Sequence, residues 1–136
     1  MARYTTYSAF FDFYLSEHSR PLTRSLHYIG SACGLAALAA MVWTRNPLWI
    51  LAGLVAGYGC AWTAHFYVEH NKPATFTYPL WSFIGDYHMF FLWLTGQLGK
   101  RRALAAERLS CSFAAKRHSL KSGSTDYTDF SDFSVP

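Results

Sequence analysis

Two long stretches without a formal charge limit this chain more than anything else in it. From Leu26 to Trp43, and again from Leu48 to Val68, there is no Asp, Glu, Lys or Arg. Each run is close to the ~20 residues that a membrane-spanning helix requires. Between them lie Thr44, Arg45, Asn46 and Pro47, a short turn in which Asn46 can cap the second helix and Pro47 can occupy its first position. The pattern predicts a helical hairpin that crosses a bilayer and returns. Gly30 and Gly34 in one arm, and Gly53 and Gly57 in the other, are each spaced four apart, which lets helix backbones approach closely. Counting outward from Asn46 puts Gly34 and Gly57 at similar depth and brings His27 level with His65.

The bulk numbers agree with a membrane chain of one domain. Only 15% of the 136 residues are charged, against roughly 25% in an ordinary soluble domain. Aromatics reach 18%, which suits the headgroup level, where a ring has one apolar and one wet side. The net charge of +4 is too dilute to suggest nucleic acid and points to anionic lipid. Cys33, Cys60 and Cys111 form no CxxC pair, and the first two are expected as small buried hydrophobes. No removable signal peptide is apparent.

The flanks complete an all-α, polytopic membrane bundle in which interfacial or re-entrant helices surround the transmembrane hairpin. Tyr4 to Leu15 is aromatic, with Asp12 interposed, and reads as an amphipathic helix lying in the interface. Ser19 can cap the first span, with Pro21 in its first turn. Leu80 to Leu98 is apolar apart from a few groups, chiefly Asp86 and His88; it can span, lie in the interface or re-enter. Residues 1–99 are therefore expected as the membrane-embedded catalytic domain. Residues 100–136 are expected as a tail, first a short basic helix and then disordered. Arg20, Arg24 and Lys72 flank the open side of the hairpin, as do Lys100, Arg101 and Arg102 if the last apolar segment does not cross, and Arg45 alone marks the turn side. The positive-inside rule then places both termini in the cytoplasm. The host membrane is the endoplasmic reticulum if the source is eukaryotic and the inner membrane if it is bacterial.

Ionisable groups inside such segments are costly and usually have a task. His18, His27, His65 and His70 all fall on the open side of the hairpin, and imidazole is the commonest protein metal ligand. His65 and Glu69, four apart, share a helix face, while His27 faces them from the other arm. Two histidines and a carboxylate with open positions form the pattern of non-haem iron(II) oxygenases. Other readings stay open: His27 and His65 as axial ligands of a haem on facing helices, or a non-catalytic lipid-binding or scaffold protein held by its glycines. Asp86 can serve as a ligand or neutralise Arg20 or Arg24.

The pieces FYLSEHSRPLTRSLHYIG and GYGCAWTAHFYVEHNKPATFTYPLWSFIGD resemble the short form of the yeast 2-hydroxypalmitate dioxygenase family, formerly a domain of unknown function. The resemblance covers about residues 10–99 and matches at His18, His27 and His65, with Glu69, Asn71, Pro73 and Ala74 following. His70 and His88 stand where the family favours basic residues, which lowers their standing as ligands. The resemblance implies an iron(II)-dependent dioxygenase that uses O2 to shorten 2-hydroxy fatty acids by one carbon, releasing carbon dioxide, in phytosphingosine degradation. It implies Fe(II) held by His18, His27 and His65, with Glu69 next; by position alone Arg20, Arg24 or Lys72 can steer the substrate carboxylate, and Glu69 and Arg24 are the expected catalytic residues. A 2-hydroxy acid chelates iron through carboxylate and hydroxyl while its alkyl chain stays among apolar helices.

Overall fold

The computed structural model describes residues 4–122. Among them there are five α-helices and no strand: α1 Tyr7–Glu17, α2 Pro21–Thr44, α3 Leu48–Thr63, α4 Pro79–Leu94 and α5 Leu98–Ser122. The second arm of the hairpin continues beyond α3 as a π-helical segment, Ala64–Glu69, and a 3₁₀ turn, Ala74–Phe76, leads into α4. Two helices are long and apolar enough to cross a membrane, Pro21–Thr44 and Leu48–Glu69. The end of the chain predicted to be disordered lies outside the described residues.

The hairpin forms as the uncharged runs predict, with its turn closed by local chemistry. Asn46 Oδ1 accepts the Leu48 N–H at 3.0 Å, and α3 starts one residue after Pro47. Arg45, in the left-handed region at φ 53°, ends α2. The glycine register differs from the count made outward from Asn46. A Cβ added to Gly30 would meet the Gly57 carbonyl oxygen at 3.1 Å, and one added to Gly53 would meet Gly34 Cα at 3.6 Å. The pairs are therefore Gly30 with Gly57 and Gly34 with Gly53. That register carries His27 level with Cys60, not with His65. The two imidazoles still meet, because helical side chains lean toward their own N-terminus: His27 leans to the open end and His65 back toward the turn.

Three flanking expectations change. The apolar face of α1 is not left for a lipid interface: Phe10, Phe11, Tyr14 and Leu15 are buried in one core with Met89 of α4 and Leu98 and Ala105 of α5. The basic helix is 25 residues long, and its first turns belong to that core. Arg101 pairs with Asp12 at 2.5 Å and lies over the Phe11 ring at 5.2 Å, so its charge is spent on α1. Ser19 does not cap α2; its Oγ donates to Glu69, which has taken over the capping task. Cys33 is exposed and Cys60 half-buried, since the close-packed strip of the hairpin is made of glycine and alanine and both cysteines fall beside it. At 16 residues, α4 is shorter than a spanning helix needs and packs against α1, α2 and α5.

Candidate metal centre

Three imidazoles meet where the open end of the hairpin joins the aromatic headpiece of α1, α4 and α5. His18 follows the last turn of α1, His27 lies in the second turn of α2 and His65 stands at the start of the π segment. All three are buried. Their ring centroids are 4.3 Å apart for His18 and His27, 4.9 Å for His18 and His65, and 5.3 Å for His27 and His65, each pair nearly perpendicular. One candidate donor atom from each lies within 4.8 Å of the others.

The outward-facing nitrogen of every ring is engaged. His18 Nδ1 donates to the Tyr14 carbonyl at 2.6 Å, four residues back along α1. His27 Nδ1 donates to Asp86 Oδ1 at 2.7 Å. His65 Nδ1 donates to Asn71 Oδ1 at 2.8 Å, and Asn71 Nδ2 donates in turn to Glu17 Oε2 at 2.7 Å, which fixes which way the amide faces. With the proton on Nδ1, a neutral ring presents its lone pair at Nε2. Burial, with His27 and His65 alongside, holds the His18 pKa well below the usual histidine value, so this ring is neutral near pH 7.

His18 Nε2 and His27 Nε2 then face each other at 3.1 Å, a separation that either a shared proton or a bound cation bridges. Two nitrogens bound to one first-row divalent ion at about 2.1 Å, at a right angle, are separated by roughly 3.0 Å. The donor set fits a metal. Outer partners of the kind seen here, a carbonyl, a carboxylate and an amide, orient metal-bound histidines and fix their tautomer. A haem sandwiched between His27 and His65 does not fit, because His18 occupies the flank that a macrocycle would need.

The carboxylates take different posts from those the spacing suggested. Glu69 faces the N-terminus of α2: Oε1 accepts the Arg20 N–H at 3.0 Å and the Thr23 hydroxyl at 2.7 Å, and Oε2 accepts from Ser19. It thereby ties the last residue of the second span to the first turn of the other. Asp86 pairs with neither Arg20 nor Arg24. It accepts from His27 and, through the same oxygen, from the Tyr14 hydroxyl. Burial first, then Asp86, raises the Tyr14 pKa well above the usual phenol value, so Tyr14 remains a donor. Arg24 Nη1 donates to the carbonyls of His18 at 2.9 Å and Ser19 at 2.7 Å, clamping the α1–α2 corner that carries His18.

The remaining histidines lie outside the cluster. His70 is exposed and closes the π segment in the left-handed region, its N–H donating to the His65 carbonyl. His88 stacks on Phe11 at 4.1 Å and bonds to the Tyr7 hydroxyl at 3.0 Å. His118 is exposed on α5. The outer roles of Tyr14 and Asn71 were not anticipated. The i, i+4 spacing of Tyr14 and His18, and the Asn two residues after Glu69, were the available signals.

A groove of about 170 Å³ runs along the hairpin from the cluster. His27 and Asp86 stand at one end, the glycines form its floor, and Leu38, Trp49 and Ile50 lie toward the turn. Tyr87 crosses above Gly34, close enough that a Cβ there would strike its hydroxyl.

An all-helical fold with a buried three-histidine cluster beside an apolar groove defines a class of candidate metal-binding proteins. The model of the Mpo1-like family, described as 2-hydroxy-palmitic acid dioxygenase Mpo1-like, matches residues 4–98, and the chain belongs to this family. No curated protein and no solved structure matches it.

Proposed function

We propose that this protein is an integral-membrane, iron(II)-dependent dioxygenase that shortens 2-hydroxy fatty acids by one carbon. The observation that carries the reading is the convergence of three buried imidazoles, each held from behind, at the mouth of an apolar groove. The family name supplies the substrate class and the oxidative chemistry. Zinc also accepts three histidines but has no redox chemistry, so an oxidation favours iron.

In this reading His18, His27 and His65 hold the metal. Iron(II), when bound, supplies the Lewis-acid and one-electron chemistry that lets a 2-hydroxy carboxylate react with dioxygen. The C1–C2 bond breaks and dioxygen is fully reduced, so one 2-hydroxy acid and one O2 yield carbon dioxide, the acid one carbon shorter and one water. The chain contributes position and dryness. Asp86, Asn71 and the Tyr14 carbonyl keep the three rings aimed, and Glu17 keeps Asn71 from turning. The groove receives the alkyl tail and excludes water from the scissile carbon. Arg24 and Glu69 act by position: Arg24 fixes the corner bearing His18, and Glu69 fixes the ends of the two spans to each other.

The outer surface of the hairpin supports the membrane setting. Val42, Trp43, Leu48, Leu51 and Val55 are all at least 60% exposed, and water is a poor solvent for such a face. In this reading the basic residues of the open end put that end on the cytoplasmic side. The catalytic unit comprises residues 1–99 together with the first turns of α5 that complete its core.

The test is to purify the protein in detergent, measure iron, and assay one-carbon shortening of 2-hydroxypalmitate before and after His65→Ala. The expected result is about one iron per chain with activity, and loss of both in the variant. Full turnover by iron-free protein would overturn the reading.

A further inference from the structure

A second pocket, about 350 Å³ in volume, lies on another side of the open end and shares no lining residue with the groove. Arg24, Ser25 and Tyr28 of α2 form one wall, Trp93 of α4 another, and Leu98 and Arg102 of α5 the third. The two arginines are left without a carboxylate: among the described residues, the acidic side chains in ion pairs are Glu69 with Arg20, Asp86 with His27, and Asp12 with Arg101 and Arg108. Their protein partners are neutral oxygens: Arg24 donates to the carbonyls of His18 and Ser19 and meets the Tyr28 hydroxyl, while Arg102 makes only a long contact, 3.5 Å to Ser19. Burial and the neighbouring Arg24 push the Arg102 pKa down from its ordinary value, with Tyr28 partly opposing them.

Aromatic and aliphatic surface borders the two arginines. Tyr28 and Trp93 stack at 4.6 Å with their planes 13° apart, and Leu22 and Leu94, next in sequence to lining positions, are more than half exposed. Two guanidinium groups over an aromatic wall, at the end of an apolar helix, match a phosphate joined to an acyl body. Guanidinium forks bind phosphate oxygens through paired hydrogen bonds, and basic pockets between spanning helices are recognised sites for anionic headgroups. The substrate carboxylate is not the natural occupant, since the reading above requires it beside the histidines.

We propose that the Arg24–Arg102 pocket is a phosphate-binding site that takes the headgroup of an anionic phospholipid and fastens α5 to the hairpin through it. The lipid as source rests on the membrane reading; the phosphate chemistry does not. The full chain, iron-loaded in neutral detergent, is titrated by calorimetry with short-chain phosphatidic acid, short-chain phosphatidylcholine and inorganic phosphate. Phosphatidic acid is expected to bind and phosphatidylcholine not. Arg102→Gln should weaken that binding about fivefold or more, while Arg102→Lys retains an intermediate affinity. Iron content and shortening activity, measured on the same samples, report separately on the proposed function and show that each variant is folded. If Arg102→Gln loses its iron, Arg102→Lys alone decides, with weakened phosphatidic acid binding supporting the site. Inorganic phosphate binding as tightly as the lipid assigns the site to free phosphate and rejects the lipid source. Equal binding of both lipids, or affinity unchanged in the folded Arg102 variants, overturns the proposal.

Discussion

The hairpin and the headpiece solve opposite problems with similar amounts of apolar material. In the headpiece, Phe10, Phe11, Tyr14 and Met89 are almost wholly hidden by their neighbours. In the hairpin only 22% of each apolar window is buried inside the protein. Large rings fill the first region; glycines and an alanine let backbones touch in the second. One region carries its own core, and the other leaves most of its apolar surface uncovered by the protein. The histidines sit on the boundary, with His18 given by the headpiece and His27 and His65 by the hairpin, so the site depends on two kinds of stability at once.

Substitutions that separate the two regions test this division. The largest effect is expected from His65→Ala or His27→Ala, which should abolish iron retention and turnover while circular dichroism shows helical content unchanged. Phe10→Ala should come next. Truncating a fully buried ring costs about 3–5 kcal/mol, and because α1 carries His18, iron should fall with the headpiece, measured as metal content against denaturant. Iron and activity retained at full level after that loss would show that the regions do not share the site. Asn71→Ala leaves the ligands in place but frees the His65 ring; metal affinity should drop about 10- to 100-fold, as for other outer-partner losses.

A smaller effect belongs to the glycine strip. In Gly53→Ala the new methyl would lie 2.9 Å from Ala37 Cβ, which has no flexible end to move away. Overpacking of this sort costs about 1–3 kcal/mol, and it should appear as a lower thermal midpoint and altered groove binding with iron unaffected. The smallest is a pH effect in the headpiece. Burial, followed by Arg101, lowers the His88 pKa below its ordinary value. The fold therefore favours neutral His88; its contribution is complete above the ordinary pKa and is lost as pH falls from there through the lowered value. Thermal melts should show a slightly larger acid loss in the parent than in His88→Gln, and equal losses would remove His88 from the account.

The two regions also differ in how far they can be read from the amino-acid order. The hairpin is written in a one-dimensional code: uncharged length, a capped turn and glycines four apart. Its register is not, because the turn has no fixed centre and α2 extends through Thr44. His27 and His65 were paired correctly although the glycines beside them were not, since side-chain lean offsets the mismatch at the histidines. The headpiece depends on which helix covers which. Nothing local to YSAFFDFYLSE says that α5 will lie on it, so a buried face and a lipid-facing face read alike. Glu69 illustrates the limit at the site: its spacing from His65 is right for a shared face, yet the bare N-terminus of α2 offers its carboxylate three donors. Asn71 and Tyr14 acquire their roles only once α1 and the residues after Glu69 are brought together.

The order in which the donors are synthesised gives the Glu69 tie a further meaning. His18 and His27 emerge from the ribosome long before His65, and Asp86 later still. Until the second span is inserted and Glu69 has closed on the first turn of α2, the early histidines have no third partner. On the proposed reading metal capture is thus a late event in biogenesis, and iron bound to a nascent chain would mark the moment at which both arms of the hairpin and the headpiece have come together.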